Sequence, residues 1–315
     1  MTSSPYRLVT RSDFDGLVCG MLLREKGLID EIKFVHPKDM QDGLVPITGR
    51  DIITNLPHVA GCHLAFDHHS SEVDRHGATP DNHVIDATAP SAARVVYRYF
   101  GGAAAFPNVG DDLMAAVDKA DSAQFSRDEI LAPHGWTLLN FLMDSRTGLG
   151  RFRDFRVSNY ELMMQLIDKC RHLGVDEVLA LPDVRERIDL YEAHQALFAA
   201  QVARCTTVHG SLALLDLRDE EVIYAGNRFA IYAMFPNCSI SAHVMWGLKQ
   251  QNTVFAIGKS ILDRSSPVDV GGICASYGGG GHEAAGTCQI PNDRAETVKA
   301  ELIARLNPKL MADAA

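Results

Sequence analysis

The 315-residue sequence lacks the features that mark membrane, secreted and fibrous proteins. It has no run of about 18 consecutive apolar residues, which a membrane-spanning helix requires. Its first residues lack the long apolar core of a signal peptide, and no repeat or low-complexity segment is present. Because 46% of the residues are hydrophobic and 22% are charged, the composition is that of an ordinary globular protein.

Paired cysteine motifs are also absent. The seven cysteines are scattered, their number is odd, and no two of them form a CxxC motif. This pattern excludes a zinc ribbon and disfavours a disulfide framework. It is typical of a protein in a reducing compartment, and we predict a cytoplasmic location with no membrane partner.

The sequence has few basic residues. Lys and Arg total 30 against 40 for Asp and Glu, which gives a net charge of −10 with histidine neutral. A protein that binds duplex DNA non-specifically usually carries a basic stripe, so we predict no duplex DNA partner. A small anionic substrate is still compatible with this charge, since bound metal cations can reverse the charge of one pocket.

The first third of the chain alternates short apolar strand patterns with helical patterns. We predict a helix over Leu17–Lys26 and strands over Tyr6–Thr10, Glu31–His36, Asp51–Leu56, His63–Phe66 and His83–Ile85. Strands that are apolar without alternation, separated by helices, indicate a parallel α/β sheet. Residues 90–205 show mainly helical periodicity.

A second strand-rich region follows Thr206. The predicted strands cover 211–217, 222–225, 239–244, 253–257 and 287–290, and helices cover 269–277 and 293–306. The length favours about two domains. We therefore predict an α/β fold with a parallel-sheet domain at 1–190, a helical linker at 191–205 and a smaller α/β domain at 206–315. Residues 130–160 are predicted to form either a pocket wall or a homodimer surface.

Two acidic motifs lie at the predicted carboxyl ends of strands, where parallel α/β folds place their sites. Asp13 and Asp15, in the sequence DFDG, follow the first strand, and Asp67-His68-His69 follows the apolar run HLAF. Alternating carboxylates suit a divalent cation, although Asp13 could simply cap the following helix. A carboxylate beside two imidazoles is hard to explain as packing and favours a metal site.

Two further clusters are weaker on their own. Asp118 and Asp121 share one helical face, and Asp121 at a helix C-terminus opposes the helix dipole, so its retention suggests another role. The sequence GGGGHEAAG at Gly278–Gly286 leaves backbone N–H groups unhindered. Such a loop can bind phosphate, with His282 as an added donor, although it could also be a flexible hinge.

Together these motifs resemble those of the DHH/DHHA1 phosphoesterase superfamily, in particular its compact nanoRNase and exopolyphosphatase-like branch. The resemblance covers almost the whole chain in the expected order. It implies two bound Mn²⁺ ions, with Mg²⁺ or Co²⁺ as substitutes, in a DHH domain followed by a DHHA1 domain. The implied metal ligands are Asp13 for one ion and Asp15, His68 and Asp121 for the other, and Asn55 occupies the position of a ligand that bridges both ions.

The remaining implied roles concern catalysis and substrate binding. His69 would contact the scissile phosphate or its bridging water, and Asp67 would orient the histidines. The substrate would be bound by the glycine run and its cationic neighbours, namely Gly278, Gly279, Gly280, Gly281, His282, Lys259 and Arg264.

The sequence departs from the family pattern at two places. Family members usually carry a histidine shortly before the DxD motif, where this chain has Val9 and Arg11, and an aspartate where it has Asn55. We therefore expect the Asp15, His68 and Asp121 site to fill first. His58 or His63 could supply a substitute ligand.

Two functions follow from these motifs. The first is a Mn²⁺-dependent phosphoesterase that hydrolyses a terminal phosphate ester or anhydride of a short anionic substrate, and the alternative is a degenerate member that binds nucleotide or phosphate without turnover. No basic run occurs in residues 206–290, so a short single-stranded oligonucleotide or pAp-like nucleotide is favoured over polyphosphate. Phe229, Tyr232 and Phe235 could stack on a base, but their spacing is also that of a buried helix face.

Overall fold

The protein is described here by a computed structural model, which covers residues 5–69 and 80–307. The chain divides into two compact units. Unit 1 comprises Met1–Gln124 and Pro133–Leu190, and unit 2 comprises Phe125–Ala132 and Tyr191–Ala315. The segment 191–205 is helical and belongs to unit 2; the assignment of the domains at 1–190 and 206–315 and of the linker between them stays a prediction.

Unit 1 contains the predicted parallel sheet. Its strands are β1 (Tyr6–Thr10), β2 (Ile29–Phe34), β3 (Asp51–Thr54), β4 (Leu64–Asp67) and β5 (His83–Ile85). They lie in the order β2-β1-β3-β4-β5, and every neighbouring pair is parallel. In a parallel sheet, the carboxyl ends of all strands lie at the same edge.

Unit 1 also contains helices that follow and connect its strands. They are α1 (Phe14–Glu25), α2 (Pro37–Gln41), α3 (Ala92–Tyr99), α4 (Asp111–Asp121), α6 (Gly135–Met143), α7 (Asn159–Lys169), α8 (Val175–Leu179) and the first part of α9 (Pro182–Cys205). Short 3₁₀ turns occur at Gly102–Ala104, Ser145–Thr147 and Leu149–Arg151. Ten of the twelve residues of α1 are buried, because this helix packs against α3, α4 and α7 as well as the sheet.

Unit 2 is built around a mixed sheet. Its elements are α5 (Arg127–Leu131), the second part of α9, β6 (Thr206–His209), β7 (Leu212–Asp216), α10 (Ala230–Met234), β8 (Ile240–Trp246), β9 (Thr253–Lys259), α11 (Val270–Ala275), β10 (Gly280–His282), β11 (Ala285–Ile290) and α12 (Ala295–Leu306). The strand order is β10-β11-β9-β8-β7-β6, in which only β7 and β8 are parallel. Two 3₁₀ turns lie at Leu248–Gln250 and Asn292–Arg294. Alternate apolar residues of the strands pack against α11 and α12 to form the core.

The predicted strand at 222–225 is wrong. This segment is irregular because side chains of α9 take up its backbone polar groups. Gln201 donates to the Val222 carbonyl at 2.7 Å and accepts from the Tyr224 N–H at 3.1 Å, while His194 Nδ1 accepts from the Ala225 N–H at 3.1 Å. A segment whose backbone groups are satisfied by side chains has no need of a strand partner. Within the described residues, no helix is long and apolar enough to cross a membrane.

Candidate functional site

The candidate metal ligands lie at the carboxyl edge of the sheet in unit 1. Asp13 follows β1, Asn55 follows β3 and Asp67 ends β4. In the strand order, β3 lies between β1 and β4, so these three segments are neighbours. The parallel topology therefore brings Asp13 to the same edge as Asp67, 54 positions later in the sequence.

The turn between β1 and α1 fixes Asp13. Its Oδ1 accepts the Gly16 N–H at 3.0 Å and caps α1, as the simpler interpretation of the motif predicts. Its Oδ2 lies 3.1 Å from Nε of Arg11. A Cβ at Gly16 would come within 2.0 Å of the Arg11 carbonyl oxygen, so this turn requires glycine. Burial raises the pKa of Asp13, and the neighbouring Arg11 only partly offsets this.

Asp15 is buried at the N-terminus of another helix. Its carboxylate accepts the N–H groups of Ala92 and Ala93, at 3.2 and 2.8 Å, in the first turn of α3. These are donors that a helix leaves without internal partners. Burial, reinforced by the charges of Asp121 and Asp13, raises the pKa of Asp15 well above its usual range. Bringing a cation to this position would oppose that effect.

Asp67 orients the two histidines that follow it. Its Oδ1 accepts the backbone N–H groups of His68 and His69, at 2.8 and 3.3 Å, and lies 2.7 Å from Nδ1 of His69. The side chain of Asp67 is only 1% exposed, whereas that of His69 is 39% exposed. An ionised carboxylate can only accept hydrogen bonds, so this contact places a proton on Nδ1 of His69.

His68 points at Asp121. Nε2 of His68 lies 2.7 Å from Oδ2 of Asp121, the last residue of α4, and its Nδ1 lies 3.3 Å from the Ala89 carbonyl. Burial opposes the charged form, but the Asp121 carboxylate, with Asp15 and Asp67, raises the pKa of His68 to about 9. In the same pair, His68 lowers the pKa of Asp121 although burial acts against it.

The two aspartates near the end of α4 have separate roles. Asp118 accepts from Ser91 Oγ at 2.8 Å and from Nε of Arg94 at 2.9 Å, so it holds α4 to the start of α3. Asp121, one turn later, faces His68 instead. Only Asp121 remains a candidate metal ligand, as the sequence predicts.

The geometry fits a divalent cation at one position. One ligand atom from each of Asp15, His68 and Asp121 lies within 4.8 Å of the other two, and this set of carboxylate and imidazole donors suits Mn²⁺ or Mg²⁺. Asp67, His68 and His69 form a second such group. At the same edge of the sheet, Asp67 Oδ2 and both amide atoms of Asn55 are buried without a hydrogen-bond partner. Buried polar atoms without partners are uncommon in folded proteins and are found at strained, catalytic or ligand-binding positions.

Asn55 occupies a strained position at this edge. Its φ of 53° lies in the left-handed region, and the residue is 1% exposed. Asparagine tolerates this conformation better than most residues. Its amide oxygen could ligate a cation, but it brings no charge.

The suggested substitute ligands lie elsewhere. The backbone N–H of His63 donates to the carbonyl of Asp51, the first residue of β3, which places His63 at the amino edge of the sheet. His58 Nε2 lies 3.1 Å from Oδ1 of Asn82, just before β5, and its ring stacks on His83. The suggestion that either histidine replaces a metal ligand is therefore wrong.

In unit 2, the glycine run forms a hairpin rather than an open loop. Gly280 and Gly281 begin β10, which ends at His282 and pairs with β11 as an edge strand. Gly278 has a φ of 77° and makes the turn before it. A Cβ at Gly279 would lie 2.1 Å from the Thr287 carbonyl oxygen, so the close approach of the two strands requires glycine there.

The candidate cations of unit 2 differ in their positions. Nζ of Lys259 lies 2.8 Å from Oε1 of Glu283 in the hairpin, so this lysine lies beside the glycine run. Arg264 donates to the Ile261 carbonyl at 3.4 Å within its own loop. Phe229 and Tyr232 are buried, and Tyr232 Oη donates to the Gly258 carbonyl at 2.8 Å, which favours their core interpretation.

Sequence reasoning missed one charged residue near the centre. Arg146 is half exposed, pairs with Asp144 at 2.7 Å, and is subject to the charges of Asp13 and Asp121. Arg146 belongs to a 3₁₀ turn after α6, and no motif surrounds it. No local signal could have associated it with the site.

Comparison with solved structures identifies similar proteins. The pGpG-specific phosphodiesterase PggH from Vibrio cholerae is 60% identical, with a TM-score of 0.82 over 96% of this chain and 99% of that chain. CDC45 from Entamoeba histolytica is 9% identical, with a TM-score of 0.48 over 96% of this chain and 95% of that chain. RecJ from Thermus thermophilus, solved with Mn²⁺, is 14% identical, with a TM-score of 0.46 over 95% of this chain and 51% of that chain.

No protein-family model matches the chain, and no curated protein matches it. The 60% identity with PggH extends over almost the full length of both chains. The chain therefore belongs to the DHH/DHHA1 phosphoesterase superfamily, as its motifs predict, and it is a hydrolase with the two-part α/β architecture of that superfamily.

Proposed function

We propose that this protein is a metal-dependent phosphodiesterase whose substrate is the linear dinucleotide pGpG. The observation that carries the proposal is its 60% identity with a pGpG-specific phosphodiesterase. Addition of one water to the internal phosphodiester of pGpG, with cleavage of the P–O3′ bond, gives two molecules of GMP. This narrows our prediction of a short oligonucleotide or pAp-like substrate to a dinucleotide with one scissile bond.

The candidate metal centre supports the chemistry. Asp15, His68 and Asp121 would hold a divalent ion, which would stabilise the negative charge that develops on the phosphoryl oxygens. We propose Mn²⁺, with Mg²⁺ or Co²⁺ as substitutes, because carboxylate and imidazole ligands suit these ions. Asp13 and Asn55 lie at the same edge of the sheet.

His69 is the candidate for proton transfer. Asp67 holds its Nδ1, so Nε2 on the half-exposed side of the ring is left to face a substrate. We propose that Nε2 moves a proton between the attacking water and the leaving oxygen, which requires hydrogen-bond contact with one of them. Asp67 is then a positioning residue, since it acts only through the histidines.

We also propose that unit 2 supplies substrate contacts. The exposed hairpin residues Gly280, Gly281 and His282 present backbone groups along the outer side of an edge strand. Phosphate groups bind well to backbone N–H groups that no side chain covers. Lys259, next to this hairpin, would add a positive charge. Arg264 remains a further candidate for the same role.

The test is a comparison of substrates with metal-free and metal-loaded protein. Protein stripped by a chelator and reloaded with Mn²⁺ is incubated with pGpG, pAp, a cyclic dinucleotide or polyphosphate, and the products are separated by ion-exchange chromatography. We expect GMP from pGpG only when the metal is present, and at least about tenfold slower turnover of the others, which corresponds to about 1.4 kcal/mol of discrimination. Faster release of phosphate from pAp would contradict the substrate assignment. Binding of pGpG without any product would favour the non-hydrolysing alternative.

A further inference from the structure

Arg11 pairs with Asp13 in the acidic centre of unit 1, and the charge of Arg146 interacts with those of Asp13 and Asp121. We propose that Arg11, supported by the positive charge of Arg146, takes the place of a second metal ion in this centre. The protein then binds a single divalent ion at Asp15, His68 and Asp121, and the substrate phosphate binds between that ion and the Arg11 guanidinium. This inference rests on the proposed function and specifies how that site binds phosphate.

The first argument is that both carboxylate oxygens of Asp13 already have partners within the protein. Its Oδ2 lies 3.1 Å from Nε of Arg11, and its Oδ1 accepts the Gly16 N–H that begins α1. A metal ion would have to displace the guanidinium from one oxygen or the helix N-terminus from the other. A divalent ion placed there would also meet the positive charge of Arg11 at close range, and like charges repel strongly in a partly buried site.

The second argument is that Asn55, the other potential ligand of a second ion, carries no charge. Asn55 is the residue that follows β3, which lies between β1 and β4 in the sheet, and its side chain is a neutral amide. A hard divalent cation is bound by several anionic oxygens, and a set of one paired aspartate and one amide falls short of this. Among the described residues, the groups of three acidic, histidine or cysteine side chains that could hold an ion do not include Asp13.

The third argument is the position of the two guanidinium groups. The Arg11 side chain is 30% exposed and that of Arg146 is 51% exposed, so both guanidinium groups are accessible to solvent. Each has its closest carboxylate contact through Nε, at 3.1 Å to Asp13 and at 2.7 Å to Asp144. A guanidinium has five N–H donors, so most donors of each remain for a ligand.

The chemistry of arginine fits the role. A guanidinium stays charged at every physiological pH, and its planar donors match two oxygens of a phosphate. It can therefore bind the non-bridging oxygens in the ground state and stabilise the added negative charge as water attacks the phosphorus. In this arrangement Asp13 orients Arg11 and is not a metal ligand, which reverses the role that the family resemblance implies for it.

The first test is the metal content of the wild-type protein. Metal-free protein is titrated with Mn²⁺ in the presence of inorganic phosphate, and the ions bound per chain are counted by elemental analysis and by electron paramagnetic resonance. We expect one Mn²⁺ per chain with the spectrum of an isolated ion. Two ions per chain, or the spectrum of a coupled pair, would overturn the proposal.

The second test measures phosphate binding directly. Inorganic phosphate is titrated into Mn²⁺-loaded wild type, Arg11→Ala and the control Arg50→Ala, whose guanidinium pairs with Asp30 at 3.2 Å on the surface. We expect Arg11→Ala to retain one Mn²⁺ and to bind phosphate at least about tenfold more weakly, the loss of one charge-assisted hydrogen-bonded contact. The control is expected to match wild type. Unchanged phosphate affinity in Arg11→Ala would refute the role of Arg11.

A third variant tests what excludes the second ion. In Arg11→His/Asn55→Asp, the positive charge is replaced by a ligand and the neutral amide by a carboxylate, so we expect two Mn²⁺ per chain. Uptake of a single ion by a double variant whose circular dichroism spectrum matches wild type would show that these two residues do not exclude it. Because none of these measurements uses pGpG turnover, an incorrect substrate assignment leaves them unaffected.

Discussion

Metal binding at neutral pH is expected to release protons from the centre in unit 1. The Asp121 carboxylate raises the pKa of His68 to about 9, so the ring is protonated at pH 7 in the metal-free protein. A metal ion can bind Nε2 only after that proton leaves. With two pH units between 7 and 9, and a factor of ten for each, the apparent affinity at pH 7 is roughly 100-fold below that of the deprotonated site. The raised pKa of Asp15 acts in the same direction.

The assay is calorimetric titration with Mn²⁺ in two buffers of different ionisation enthalpy, repeated at about pH 6.5, 7.5 and 8.5. We expect about one proton or more released per ion, and an affinity that rises roughly tenfold for each pH unit in this range. His134→Ala provides a matched control, because His134 belongs to the same unit and lies outside the centre. A pH-independent affinity, with the same heat in both buffers, would refute the assignment of His68 as a protonated metal ligand.

Three further predictions concern single residues. His68→Ala is expected to abolish metal binding while leaving the far-ultraviolet circular dichroism spectrum unchanged; an unchanged metal content would contradict its role as a ligand. Burial and the charge of Arg228 lower the pKa of His243 to about 4. Between pH 6.5 and 4 this histidine is therefore protonated in the unfolded chain and neutral in the folded protein. Its contribution to the free energy of unfolding is complete above pH 6.5 and is lost as the pH falls towards 4. Urea unfolding should show that His243→Gln lessens this acid dependence, by at most about 3 kcal/mol, and an unchanged pH profile would argue against it. Gly279→Ala places a Cβ 2.1 Å from a backbone oxygen and is expected to destabilise unit 2 by about 2 kcal/mol or more, whereas Gly280→Ala, with no atom within 4 Å, should not, as thermal unfolding would show.

The sequence predicts the parallel sheet of unit 1 well, because the inner strands β1, β3 and β4 are largely buried and are marked by short apolar runs. It also predicts which residues meet at the sheet edge, because strand ends in a parallel sheet converge whatever the lengths of the connections. Asp15, His68 and Asp121 come from three separate segments, and the structure brings one ligand atom of each within 4.8 Å of the others.

Other features depend on long-range side-chain contacts that a local pattern does not contain. Gln201 satisfies the backbone of the segment at 222–225, which otherwise has the composition of a strand. Strand β6, with the short sequence TTVH, is not among the predicted strands, and its pairing partner is β7. The proximity of Arg146 to Asp13 likewise arises only from the folded chain.

The carboxylate of Asp15 serves two partners at once, and this affects how the centre can be studied. It holds the first two N–H groups of α3 and also belongs to the candidate metal ligands. Replacement of Asp15 by alanine would leave buried helix donors unsatisfied, so any lost activity would mix misfolding with lost chemistry. Asp121, whose carboxylate pairs with a side chain rather than with a helix terminus, is the cleaner site for an inactive variant. Because the same carboxylate serves both partners, metal binding is expected to stabilise α3. In the metal-free protein, this helix should therefore be the first part of unit 1 to unfold locally.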